Sequence, residues 1–307
     1  MKRSAAIIAR NLIQMLWEAY LERVPYARKY ADKVMHRGGN VVHDHLAFRT
    51  LKTHMGEMPE GIAAIRHIIR CLGYKPAGRY IFSKKKLNAV HFEHPDGSLP
   101  KIFVSEQEVG QLPSWAQQSI HDAVSETPYL LSDLGIELLG RLEHEAILPS
   151  EGAGILENEL FHYFRRPWKM PLKETVLAIN DISQYTAWVL LHGNSVSHFA
   201  ALVNDQGVRE WPDLETTCNM LKMAGVPMKE TIEGVKGSKL RQTATLAVKE
   251  AVEVMGNDIP VELTWTYAYF ELVQRGFWDE KDQSGLFQGF LEEQARHFFY
   301  MTQTRDN

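Results

Sequence analysis

The chain is poor in cysteine: Cys71 and Cys218 stand alone among 307 residues. They form no CxxC pair and no disulfide framework, which reads as two reduced thiols in helices. Long apolar runs are missing too. No stretch approaches the ~20 consecutive apolar residues that span a bilayer. The apolar segment Ala5 to Ala9 behind Met1-Lys2-Arg3 lacks the length and cleavage pattern of a secretory signal. The expectation is therefore a cytoplasmic protein with no membrane attachment. There is also no basic block, and the net charge of −4 is small and spread along the chain, which argues against nucleic acid as a partner. What is present is a chain 45% hydrophobic and 10% aromatic, ample for a buried core.

Periodicity organises it. Ile7, Ile8, Leu12, Met15, Leu16 and Tyr20 recur at three- and four-residue spacing and predict an amphipathic helix, with Pro25 opening a second one to about Met35. Arg37-Gly38-Gly39-Asn40 breaks it. Val41 to Thr50 reads as a strand, with Val41, His43, His45, Ala47 and Arg49 on one face by simple alternation. A helix over Pro59–Leu72 and strands within 78–94 and over Lys101–Glu108 follow. Residues 111–180 read as mainly helical, an insertion. The earlier pattern then returns: a strand over Ser195–Val203, a helix over Pro212–Ala224, and strands over Leu240–Val248 and Val261–Gln274. Both helices end in a similar phrase, Cys71-Leu72-Gly73-Tyr74-Lys75-Pro76 and Met223-Ala224-Gly225-Val226-Pro227, a weak sign of duplication. The α+β chain divides into N-terminal helices (1–40), a first module (41–110), a helical insertion (111–184), a second module (185–290) and a C-terminal helix (291–307), all in one domain.

Of the 13 histidines, His36, His54, His67, His94, His121, His144 and His297 fall in predicted helices or turns without a ligand-like neighbour. His45 stands out through Arg49, four residues on. The pair would set a metal ligand and a carboxylate clamp about 13 Å apart along one strand face. An exposed edge strand bearing a histidine and an arginine would read the same way. His43 is an alternative ligand if the register slips, and His91 could face the same cavity. His198 opens the second unit as His45 opens the first. Glu271 is a lone carboxylate within the aromatic stretch Tyr267–Arg275, costly to bury unless paired or metal-bound. Two histidines and a carboxylate make the facial set that leaves positions open on Fe(II), and Zn or Mn would accept it as well.

In this order, the residues resemble the 2-oxoadipate dioxygenase/decarboxylase family. The resemblance rests on His45 with Arg49, His198, Glu271 ahead of Gln274-Arg275-Gly276, the stretch Leu240-Arg241-Gln242-Thr243, and a C-terminal loop Asp282-Gln283-Ser284-Gly285-Leu286-Phe287. It implies a vicinal-oxygen-chelate (VOC) fold of paired βαβββ modules in a curved mixed sheet, and Fe(II) on His45, His198 and Glu271. It further implies a 2-oxo acid and O2 as small-molecule partners, with Arg49, Arg241, Gln283 and Ser284 toward the substrate. Either Ser284 or Asp282 could fill the loop's serine position. A Zn- or Mn-dependent isomerase, lyase or hydrolase, or a non-enzymatic binding protein, are the other readings such a fold allows.

Overall fold

The structure is a computed structural model that describes residues 1–278 and 285–291. In chain order its elements are β1 (Lys2–Ser4), α1 (Ala5–Arg23), α2 (Pro25–His36), β2 (His43–Lys52), α3 (Gly61–Cys71), β3 (Lys75–Phe82), β4 (Leu87–Glu93) and β5 (Lys101–Glu108). The insertion then supplies α4 (Ser114–Val124), α5 (Asp133–Glu145), β6 (Ile147–Pro149), α6 (Ser150–Tyr163) and α7 (Lys173–Ile182), and α8 (Gln184–His192) leads into the second module. The second module carries β7 (Val196–Leu202), α9 (Leu214–Met223), β8 (Leu240–Ala244), β9 (Lys249–Gly256), β10 (Ile259–Thr266) and β11 (Tyr269–Arg275). No described helix is long and apolar enough to cross a membrane.

Among the described residues the strands make one seven-stranded sheet, ordered β3-β4-β5-β2-β7-β11-β8, and two two-stranded ribbons. The large sheet is mixed and curved. At its centre β2 and β7 run antiparallel, and each has a parallel neighbour: β5 beside β2, and β11 beside β7. That is the arrangement of two paired modules joined by their first strands, the first supplying four strands to the sheet (β2, β3, β4, β5) and the second three (β7, β8, β11).

One face of the sheet is apolar because helices cover it. On α1, Ile8, Leu12, Leu16, Trp17 and Tyr20 are buried at helical spacing. Trp17 and Tyr20 set their rings 5.0 and 5.1 Å from Phe199 of β7, and Tyr30 of α2 lies 5.0 Å from Phe270 of β11. Rings at this separation add to what their burial contributes. Pro25 sits at the start of α2, where its missing N–H costs nothing. Gly193 turns α8 into β7: its φ is +66°, and a Cβ there would lie 2.2 Å from the Arg166 backbone, so no side chain fits.

Two sequence expectations need correction. The predicted strand Val261–Gln274 is two elements. The backbone breaks at Tyr267 and Ala268, where the Tyr267 carbonyl accepts a 2.6 Å bond from the Trp188 indole. β10 instead pairs with β9 as a separate ribbon, with exposure alternating along it. A ribbon with one wet face cannot replace a central strand. Secondly, His43 and His45 do not share a face. The β2–β7 register shifts between them, His43 pairing with Ala201 and His45 with Ala200. This bulge turns His43 to the helix side, its ring 4.5 Å from Trp17 and 5.0 Å from Phe199. Burial drives the His43 pKa down to about 4, so it sits there as a neutral imidazole.

Candidate metal centre

Partners across a sheet share a face, and the registers gather three side chains at one spot. His45 and Glu271 both pair with Ala200, and Tyr269 pairs with His198. The Nε2 atoms of His45 and His198 lie 3.2 Å apart, and Glu271 Oε2 lies 3.7 Å from His198 and 4.0 Å from His45. All three residues are buried. Ligand atoms held about 2.1 Å from a metal at right angles would be about 3 Å apart, so the cluster has the dimensions of a coordination face.

Electrostatics supports the same reading. Both carboxylate oxygens of Glu271 are buried and, among the described residues, have no hydrogen-bond partner. Burial, with Glu233 and Asp44 nearby, pushes its carboxyl well above the usual range. Burial lowers both imidazoles, His198 well below its ordinary value, with the charges of His45 and Arg49 adding to the effect. A bare buried carboxylate facing two imidazole nitrogens is an arrangement that a divalent cation would complete. The outer shell fits as well. Asp44 Oδ1 lies 2.8 Å from His45 Nδ1. A carboxylate only accepts, so the His45 proton sits on Nδ1 and leaves Nε2 unprotonated, as a metal ligand must be. Burial pushes the Asp44 carboxyl up, but the Arg275 guanidinium outweighs it and holds Asp44 well below the carboxylate range. His198 Nδ1 lies 3.3 Å from the Ser197 hydroxyl, and its ring stacks on Tyr269 at 4.7 Å.

Arg49 is buried on the same side, since β2 pairs with β5 without a shift from His45 to Lys52. Its guanidinium lies over Trp188 at 4.7 Å and Tyr185 at 5.2 Å, both on α8. His91 also faces this side, with its two ring nitrogens 2.9 Å from the Tyr80 hydroxyl and 3.2 Å from Glu93. Phe290 closes over the centre, its ring 5.0 Å from His45, 5.1 Å from His91 and 5.4 Å from Phe103.

Arg241 is a correction. On β8 its neighbour Gln242 pairs with Val273, which shares the Glu271 face, whereas Arg241 pairs with Gln274 and points the other way. There it forks onto Glu215 of α9 at 2.6 and 3.0 Å, so it does not reach the centre. Asp282, Gln283 and Ser284 lie outside the described residues, as do His297 and nearly all of the expected C-terminal helix. Sequence reasoning missed Asp44, placed by alternation on the opposite face, and Phe290. An acidic residue directly before a candidate ligand histidine was the available signal for Asp44. His67, Cys71 and Glu143 also bring ligand atoms within 4.8 Å of one another. Glu143 already pairs with Arg70 there, and burial raises the Cys71 thiol to about 11, so neither group stands bare for a cation.

The profile of the 2-oxoadipate dioxygenase/decarboxylase family matches residues 10–305. The chain belongs to this family. A rice protein (Oryza sativa subsp. japonica) named 2-oxoadipate dioxygenase/decarboxylase, chloroplastic/amyloplastic, is 26% identical over 200 residues, covering 62% of this chain and 48% of that one. The chain thus spans about half the length of the curated relatives it matches. A crystal structure of a protein assigned to the glyoxalase superfamily from Ralstonia eutropha superposes with a TM-score of 0.85 at 27% identity, covering 94% of this chain and 87% of that one. The rice hydroxyglutarate synthase in complex with 2-oxoadipate superposes at 0.76 and 21% identity, covering 97% and 93%, which shows the shared VOC-type fold.

Proposed function

We propose that this family member is an Fe(II)-dependent dioxygenase/decarboxylase of a 2-oxo acid, with 2-oxoadipate, O2 and 2-hydroxyglutarate plus CO2 as the balanced reaction. The observation that carries the reading is the bare Glu271 carboxylate facing His45 and His198 in a chain of this family. His45, His198 and Glu271 would hold the metal through one face and leave the remaining positions for a chelating oxo acid and oxygen. Iron, when bound, supplies the oxygen-dependent decarboxylation and hydroxylation, chemistry that no side chain can perform.

The protein's own groups bind, orient and exclude water. Arg49 is a fixed cation on the site face, held against Trp188 and Tyr185, and it grips a substrate carboxylate with a planar fork. Asp44 keeps the proton of His45 on Nδ1. Phe290 and Phe103 form a dry wall beside the ligands, which strengthens every charge interaction inside it. The test is anaerobically purified protein given Fe(II) and 2-oxoadipate in an oxygen electrode, with the product identified by mass spectrometry. Expected is oxygen uptake matched by 2-hydroxyglutarate. No uptake with any 2-oxo acid tried, or turnover of substrate without oxygen, would overturn the reading.

A further inference from the structure

We infer that Arg275 is a positioning residue that couples the seating of residues 285–291 over the centre to the orientation of the ligand His45. The inference rests on the metal reading above and goes beyond it.

Arg275 ends β11, four residues after Glu271, and its guanidinium is buried. The fork has two edges with different partners. Nε and Nη2 both donate to the Asp44 carboxylate, Nη2 at 2.8 Å, and Asp44 in turn accepts from His45 Nδ1. Nη1 donates to the Phe287 carbonyl at 2.8 Å and the Gly289 carbonyl at 2.9 Å. The same guanidinium therefore touches the segment that carries Phe290 and the carboxylate that orients a ligand. Its backbone has no slack, because Asn204 accepts from the Arg275 N–H at 2.8 Å and donates to its carbonyl at 2.9 Å. The segment is also tied by the Phe287 N–H to the Gly276 carbonyl and the Trp278 N–H to the Gly285 carbonyl, both at 2.8 Å, and by Lys101 Nζ donating to Gln288 Oε1 at 2.6 Å.

Asp44 also settles why this residue is arginine. A lysine is a point charge on a flexible stem; it can meet the carboxylate or the two carbonyls, not both edges at once. If the segment lifts, Nη1 loses both carbonyls, the fork is freed, and Asp44 and His45 lose their fixed orientation. By linkage the coupling runs both ways: a metal that fixes His45 must also hold the segment down by the same factor.

The experiment titrates metal-free protein with Co(II), read by its visible absorption, and follows hydrogen exchange of the Phe287 and Trp278 amides with and without the metal. The variants are Arg275→Lys and, at the far end of the strut, Asp44→Asn. Both are checked for folding by circular dichroism. Expected is a loss of Co(II) affinity of about 10- to 100-fold in each variant, the range for outer-shell partners of a ligating histidine. Co(II) should also slow exchange of the two amides in the native chain and fail to do so in Arg275→Lys. Native Co(II) affinity in Arg275→Lys, or exchange in the native chain that ignores Co(II), would overturn the coupling while leaving the metal centre standing. If the native chain takes up no more Co(II) than His198→Ala, the metal reading itself has failed and the coupling with it.

Discussion

The two halves of the sheet are built on one frame and loaded differently. In the first, β2 and β5 run parallel with His45 opposite Lys101; in the second, β7 and β11 run parallel with His198 opposite Tyr269. Two residues further along the outer strand stands Phe103 in one half and Glu271 in the other. One module thus offers a histidine and a carboxylate, and its counterpart a histidine and a phenyl ring. A fourth ligand at Phe103 would leave fewer places for a chelating acid and oxygen. The ring instead packs against Phe290 and keeps that side dry. The surroundings differ as well. His45 is oriented by a charged pair, Asp44 and Arg275, whereas His198 meets a hydroxyl and stacks on a tyrosine ring. Each half also carries an arginine four residues after a ligand: Arg49 beside α8 and Arg275 locked onto Asp44. The repeated frame supplies the positions, and the chemistry comes from their inequality.

Breaking that inequality should have graded effects. Glu271→Gln keeps the shape and removes the ligand charge. Metal content after dialysis and oxygen uptake should both fall by more than about 100-fold, beyond the range for outer-shell changes; retention of metal would refute the ligand assignment. Phe103→Glu restores symmetry by adding a carboxylate. It should retain metal but lose nearly all oxygen uptake because a position meant for substrate is filled, and unchanged turnover would show that the two strand positions are not equivalent. Arg49→Met removes the proposed clamp. A hydrogen bond between charged groups contributes about 1.5–3 kcal/mol, so KM for the oxo diacid should rise roughly 10- to 100-fold, with metal content unchanged. Comparing the two histidine supports is subtler. Ser197→Ala deletes a neutral contact worth about 1 kcal/mol and should weaken metal binding several-fold at most, less than Asp44→Asn does; the reverse order would contradict the picture of Asp44 as the stronger support.

The sequence showed some of this directly, and the reasons are physical. His45 with Arg49 was visible because four residues on a strand return to the same face. Glu271 was visible because a carboxylate among Tyr267, Tyr269, Phe270 and Leu272 is out of place unless something pairs with it. The paired modules were legible from the recurrent strand–helix–strand order. Asp44 was hidden because strict alternation assigns it to the wrong face, and the bulge that brings it beside His45 depends on the pairing of β2 with β7, which no local pattern encodes. The separate β9–β10 ribbon was hidden for a related reason: Val261 to Gln274 is continuously strand-like in composition, and the break falls where Tyr267 meets Trp188 and Val248, contacts that no local pattern encodes. Phe290 lies in a segment with no periodicity at all. Its place is set by carbonyls meeting Arg275.

Arg241 gives the smallest expected effect. It was grouped with the substrate residues because it belongs to a family-like stretch, yet such a stretch carries no information about face, and a shift of one residue along a strand reverses the side. The structure puts Gln242 on the face of Glu271 and turns Arg241 toward Glu215, whose side chain is 39% exposed. An ion pair with one partner that open contributes about 0.2–1 kcal/mol. Arg241→Ala should therefore lower thermal stability slightly, by a few degrees at most, and leave KM, oxygen uptake and metal content as they are. Steady-state kinetics beside a melting curve checks both halves of the statement. A rise in KM with unchanged stability would mean that β8 presents Arg241 to the substrate, and that the face assignment of this strand is wrong by one residue.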